Sequence, residues 1–156
     1  MNWYLQALKK YATFEGRARR KEYWMFFLFW LLFYVLAVVV DVVVLGKGNL
    51  EIQPVSLVYS LATLLPFLAV AVRRLHDVGK SGWMVLIGFV PALAIQAYNL
   101  YALSMLTSGD TEVIQSLAFI NLTLGLAALV GSIWLLILYC MDGSPGVNRY
   151  GPNPKG

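Results

Sequence analysis

One hundred and fifty-six residues, 60% hydrophobic and 13% charged, do not compose an ordinary soluble domain. Such a domain runs to about 45–50% apolar and about 25% charged residues. A chain this short cannot bury so many apolar side chains in water, and its low charge excludes the disordered class as well. With one cysteine (Cys140) and one histidine (His76), an intrachain disulfide, a multi-cysteine zinc site and a His-rich metal centre are all excluded.

In chain order, residues 1–22 come first. Tyr4, Leu8 and Tyr11 recur at helical spacing, with Trp3 and Phe14 close to the same face and Lys9 and Lys10 off it. This pattern predicts an amphipathic helix in the membrane interface, ended by Gly16 before the basic run Arg17–Lys21. Tyr23–Leu45 follows as a first span, with Asp41 as its one charge. A cleaved signal would have a shorter apolar stretch, about 7–15 residues, and a small-residue cleavage site, so this span reads as a retained anchor. Val55–Val72, opened by Pro54 and containing Pro66, is the second. The third is Trp83–Leu106, with Pro91, Gln96 and Asn99 inside it, and the uncharged Leu117–Met141 is the fourth. A hydrocarbon core of about 30 Å takes roughly 20 helical residues, which all four reach, the second only marginally unless it extends past Arg73. The alternating segments of a strand barrel are absent. From Asp142 onward, Gly143, Pro145, Gly146, Gly151, Pro152 and Pro154 leave only turns. The expected fold is all-α and integral to the membrane: a four-transmembrane-helix bundle with an N-terminal interfacial helix, one membrane domain over 1–156.

Orientation follows from charge. Of the twelve lysines and arginines, all but Lys47 fall on the side holding both termini and the loop between spans two and three. The loop between spans three and four carries the acidic Asp110 and Glu112. By the positive-inside rule the basic side is cytoplasmic. The net charge of +4 is therefore a topology signal before it is an affinity for nucleic acid, for which no recognition helix or stacking platform is present.

The unusual residues gather in three segments on that side. They are Phe14–Trp24 with its Glu15-Gly16-Arg17-Ala18-Arg19-Arg20-Lys21-Glu22 run, Arg73–Trp83 with Arg73-Arg74-Leu75-His76-Asp77-Val78-Gly79-Lys80-Ser81-Gly82, and Asp142–Pro154 with Asp142-Gly143-Ser144-Pro145-Gly146-Val147-Asn148-Arg149-Tyr150. Together, and with the Asn2-Trp3-Tyr4-Leu5 start, they resemble the YhaH-like bacterial inner-membrane proteins grouped as domain of unknown function 805. The resemblance covers nearly the whole chain and implies an inner-membrane location and no established activity. The chain departs from it at Trp83-Met84, where members often have two tryptophans. Compact members are also shorter between the regions of Pro91 and Gly131, so orientation is taken from this chain's own charges.

Candidate site residues fall into two groups. On the cytoplasmic side, Arg17, Arg19, Arg20, Arg73, Arg74, His76, Asp77, Asp142 and Arg149 offer guanidiniums for phosphate or carboxylate and an imidazole that titrates near neutral pH. The same residues also suit a tight interhelical turn whose polar groups satisfy one another. The Pro- and Gly-rich tail, unable to form a helix, is expected to fold back onto the loop, placing Arg149 and Tyr150 near Arg73–Asp77 to form one cationic, glycine-lined pocket around His76, suited to a phosphate-bearing headgroup. Within the outer half of the bilayer, Asp41, Gln96, Asn99 and Asn121 form a candidate intramembrane polar cluster, either lining a path or serving as interhelical hydrogen bonds. Gly125, Ala128, Gly131 and Ser132 make a small-residue stripe for close helix approach, within the chain or between copies. Cys140 reads as a packing residue.

The leading function is a binding or scaffold protein whose cytoplasmic face engages anionic membrane lipids or a membrane partner. The alternative is a small transporter or channel-like subunit using the outer polar residues, and third comes a membrane enzyme acting on lipid. No catalytic residues, cofactor, metal or nucleic-acid partner are expected.

Overall fold

The computed structural model describes residues 2–46, 53–106 and 111–154. Lys47, Asp110 and Lys155, which entered the charge count, lie outside them. Its helices are α1 (Asn2–Lys9), α2 (Arg20–Val39) continued by a π-helical turn (Val40–Val44), α3 (Pro54–Asp77), a 3-10 turn (Gly82–Val85), α4 (Leu86–Leu106) and α5 (Thr111–Cys140). Arg20–Val44, Pro54–Asp77, Gly82–Ala102 and Ser116–Cys140 are long and apolar enough to cross a bilayer. Their exposed side chains, such as Leu28, Leu32, Leu36, Leu61 and Leu129, would be a liability in water and are natural against lipid.

One helix end takes the longer of two expected forms, and one differs from expectation. α3 does extend past Arg73, as far as Asp77, because Arg73 and Arg74 are neutralised by neighbours and need not leave the helix to find water. α1 stops at Lys9, short of Gly16, so Tyr11 and Phe14 follow as exposed non-helical residues. The aromatic face of α1 is nonetheless used. Tyr4 lies 5.5 Å from Phe26, 5.6 Å from Phe29 and 6.0 Å from Phe33 between ring centroids, and Ala7 is fully buried.

The chain forms two compact units, Met1–Gly82 with Met141–Gly156, and Trp83–Cys140. In the first, α1 and α3 pack on α2. Phe26, Phe27 and Trp30 surround Phe67 at 6.3, 6.4 and 5.1 Å, and Trp30 Nε1 donates to Thr63 Oγ1 at 2.8 Å. Pro66 has no N–H, which strips the Ala62 carbonyl of its helical donor. Tyr11 replaces that donor, its hydroxyl bonding to Ala62 O. In lipid an orphaned carbonyl finds no water, so this contact fixes where the N-terminal segment sits.

The second unit is the α4–α5 pair. Pro91 likewise removes the donor for the Ile87 carbonyl, and here Gly131 of α5 lies against it. A Cβ at position 131 would come 2.8 Å from Ile87 Cγ2 and 2.9 Å from Ile87 O. Gly131 therefore serves packing within the pair.

Asp41 acts within the first unit. Its carboxylate, fully buried, accepts from the backbone N–H of Val55 at 2.9 Å and of Ser56 at 2.8 Å. These are first-turn donors of α3, which Gln53 leaves uncapped by any side chain. A negative charge there also faces the positive end of the helix dipole. We expect Asp41→Ala to lower the unfolding midpoint in detergent, and Asp41→Asn, which keeps one acceptor, to lie between it and wild type. A midpoint unchanged in Asp41→Ala would show the cap to be dispensable.

Candidate functional site

The three polar segments meet at Asp77, the last residue of α3, which is 4% exposed. Its Oδ1 accepts from Arg17 Nε at 2.9 Å. Its Oδ2 accepts from Arg74 Nη1, one helical turn back. Carbonyls at a helix C-terminus lack donors, and the tail supplies them: Ser144 N and Oγ both bond Asp77 O, at 2.8 and 3.1 Å.

Arg17 ties the N-terminal run to both other segments. Beyond Asp77, its Nη1 donates to Gly146 O at 2.7 Å and its Nη2 to Ser144 O at 2.6 Å. Arg74 Nη2 reaches Met141 O. Arg73, 1% exposed, pairs through Nη1 with Glu22 Oε1 at 2.7 Å, while its carbonyl accepts from Ala18 N at 3.0 Å. Buried guanidiniums persist only when paired in this way. At the edge, Arg20 pairs with Asp142 and Arg19 bonds the Pro154 carbonyl.

His76 faces the tail. Its ring stacks on Tyr150, with centroids 3.8 Å apart and planes within 7°, and the Arg149 guanidinium lies 4.7 Å from the Tyr150 centroid on a cation–π contact. Its Nδ1 is 3.2 Å from Gly16 O, so in the neutral ring Nδ1 carries the hydrogen. Asn148 Nδ2 donates to His76 O at 3.0 Å and to Ser144 Oγ at 2.8 Å. Asn148 and Gly151 exchange backbone bonds of 3.1 and 3.0 Å, closing the turn that presents Tyr150. Two glycines are steric requirements. A Cβ on Gly143 would lie 2.2 Å from Asp77 Oδ2, and one on Gly82 would lie 2.6 Å from Val72 Cγ1.

The structure thus joins Arg17, Arg74, His76, Asp77 and Arg149 in one assembly, with Arg20, Asp142 and Arg19 at its margin. The tail docks on the loop as expected, with Tyr150 stacked on His76 and Arg149 beside it. Arg17, Arg73 and Arg74 are buried and turned inward on Glu22, Asp77 and tail carbonyls, since a buried charge gains more from a partner than from an open cleft. Glu22, Ser144 and Asn148 were not singled out by sequence. Glu22 had one signal, an acid closing a basic run; the other two had none beyond the turn composition of the tail. Among the described residues, no three His, Cys, Asp or Glu side chains gather as a metal site requires.

The intramembrane candidates fall into both units. Asp41 caps α3 in the first. In the second, Asn121 Nδ2 donates to Asn99 Oδ1 at 2.9 Å, joining α5 to α4, and Gln96 is exposed. Of the small-residue stripe, Gly131 is buried against Ile87, Ser132 is exposed, and Gly125 has open space where a Cβ would stand. Cys140 is exposed and free, not packed as expected, because it falls one position past the buried Leu138 and Tyr139.

Four spans with an interlocked polar cap at one end of the first two define an integral, multi-pass membrane protein. The chain belongs to the family described as "Protein of unknown function (DUF805)", which matches residues 11–152. That match encloses the cap from Arg17 to Gly151. The chain is 37% identical to "Inner membrane protein YhaI" of Escherichia coli K12 over 155 residues, covering 99% of this chain and 97% of the relative. It is 31% identical to "Inner membrane protein YhaH" of the same organism over 160 residues, covering 99% and 98%. To "Uncharacterized protein YiiR" it is 28% identical over 145 residues, covering 92% and 86%. No solved structure matches.

Proposed function

We propose that this protein is a membrane-embedded scaffold whose pre-ordered cap lies on the cytoplasmic side and seats on anionic lipid headgroups. The observation that carries the reading is the division of its charges. The buried arginines hold the cap together, while Lys9, Lys10, Lys21, Lys80 and Arg149 stand exposed around it. Of the exposed acids on that side, Glu15 and Asp142, the second is already paired with Arg20. Exposed cations at a leaflet surface contribute roughly 1 kcal/mol each toward anionic lipid. Trp83, 79% exposed beside the loop, suits an anchor at headgroup level. The transport reading has weaker support, because both carboxylate oxygens of Asp41 are taken by α3.

Native mass spectrometry of protein extracted from phosphatidylglycerol-containing membranes tests the lipid contact. Lys21→Gln, Lys80→Gln and Arg149→Gln together should cost about 3 kcal/mol, on the order of a hundredfold in retention. Equal retention of phosphatidylglycerol by the triple variant would defeat the proposal. Orientation has its own check. Cytoplasmic reporters after Lys155 and within Gly79–Gly82, and periplasmic reporters within 108–112, should be active. A periplasmic C-terminus would place the cap on the wrong leaflet.

A further inference from the structure

We infer that the tail is a strap closed over a masked anion site, where the Arg17 guanidinium takes a phosphate group once the strap lifts. The inference begins with a charge imbalance. The cap buries three guanidiniums, Arg17, Arg73 and Arg74, at 6%, 1% and 0% exposure, and two carboxylates, Glu22 and Asp77, at 5% and 4%. Glu22 pairs with Arg73, and Arg17 shares Asp77 with Arg74. Only Nε of Arg17 meets that carboxylate, at 2.9 Å. Its other two nitrogens meet neutral oxygens. Nη1 donates to Gly146 O at 2.7 Å and to Gly151 O at 3.4 Å. Nη2 donates to Ser144 O at 2.6 Å and to Asp77 O at 3.5 Å. Two adjacent nitrogens, each with a short bond to an oxygen, form the fork by which arginine takes two oxygens of a phosphate. The tail backbone stands in that place, with partial charges where a phosphate brings whole ones.

The strap is built to lift. None of residues 142–154 is buried, although the arginines beneath them are. Val147, at the tip of the tail, is 79% exposed, so it anchors nothing. What holds the tail down is a set of hydrogen bonds, with Ser144 and Asn148 prominent among them, and the stack of Tyr150 on His76. A segment with so few buried apolar contacts lies at the low-stability end of a fold. Lifting it takes the carbonyls from Arg17, and a phosphate supplies both the oxygens and the negative charge that the buried cap is short of. This places a second phosphate contact beneath the tail, and where the phosphate belongs to a headgroup it rests on the lipid reading proposed above.

The first test is limited proteolysis of the full chain in nanodiscs, read as cleavage between Gly143 and Asn153. Three conditions are compared: phosphatidylcholine alone, phosphatidylcholine with inorganic phosphate, and phosphatidylcholine mixed with phosphatidylglycerol. The tail should stay protected in the first and be cut about tenfold faster in the third, a change equivalent to one or two net hydrogen bonds. Acceleration in the second condition as well would show that free phosphate also enters the site. Cleavage unchanged by either source of phosphate would overturn the inference. The second test is phosphatidylglycerol retention in native mass spectrometry. Gly143→Ala with Arg17→Gln should retain about tenfold less of the lipid than Gly143→Ala alone. Both variants have a disturbed tail and keep Lys21, Lys80 and Arg149, so the comparison isolates Arg17 from the outer cations. Equal retention by the two would leave the outer cations as the lipid contact and remove the masked site.

Discussion

Asp77→Ala should release the tail and destabilise the cap while leaving the protein inserted in the membrane. The carboxylate is the shared counter-charge for Arg17 and Arg74, and the side chains of Arg17 and Asp77 are 1% and 5% exposed. Removing one partner of a buried pair strands the other, at about 3–5 kcal/mol. Here two guanidiniums are stranded together. Span insertion depends on apolar length and is untouched. The expected result is a lowered unfolding midpoint in detergent together with rapid proteolysis between Gly143 and Asn153. Asp77→Asn keeps the size and an acceptor but loses the charge, so it should fall between. A tail that stays protected in Asp77→Ala would mean that backbone bonds alone hold the cap.

Gly143→Ala should produce the same release of the tail by steric means. The added Cβ would lie 2.2 Å from Asp77 Oδ2 and 2.6 Å from Asp77 Cγ, well inside contact distance. Asp77 cannot swing aside without breaking its bonds to Arg17 and Arg74. The tail must move instead, losing the Ser144 bonds to Asp77 O. Overpacking of this kind typically costs about 1–3 kcal/mol. Gly146→Ala makes a useful contrast. At Gly146 a Cβ meets open space, and only its φ of 69° penalises the change, by roughly 1 kcal/mol. If Gly143→Ala keeps the tail as protected as wild type, the close approach to Asp77 is not a constraint.

Membrane spans are legible because length and apolarity are local properties. Tyr23–Leu45 and Leu117–Met141 declare themselves without reference to any other segment. The second span looked marginal for the opposite reason. Its last residues, Arg73, Arg74 and Asp77, read as a polar loop until Glu22 and Arg17, far away in sequence, are seen to neutralise them. Tyr11 shows the same dependence. Its spacing placed it on a helix, whereas its actual position is set by the carbonyl that Pro66 leaves unpaired on α3.

By itself, the sequence determined that this chain lives in a bilayer, how many times it crosses, and which residues leave the membrane together on the basic side. It also foretold that a tail rich in proline and glycine must dock to be ordered. Hydrophobic transfer and backbone conformational limits suffice for those conclusions, since both act residue by residue. What only the tertiary structure decided is the use of the charges. A row of arginines reads alike whether it faces a phosphate or a buried carboxylate. The choice is made by desolvation, which rewards a cation for pairing only where the fold brings an anion within about 3 Å. Asp77 and Glu22 are within that reach, so Arg17, Arg73 and Arg74 hold the cap closed, while Lys21, Lys80 and Arg149 stay exposed around it.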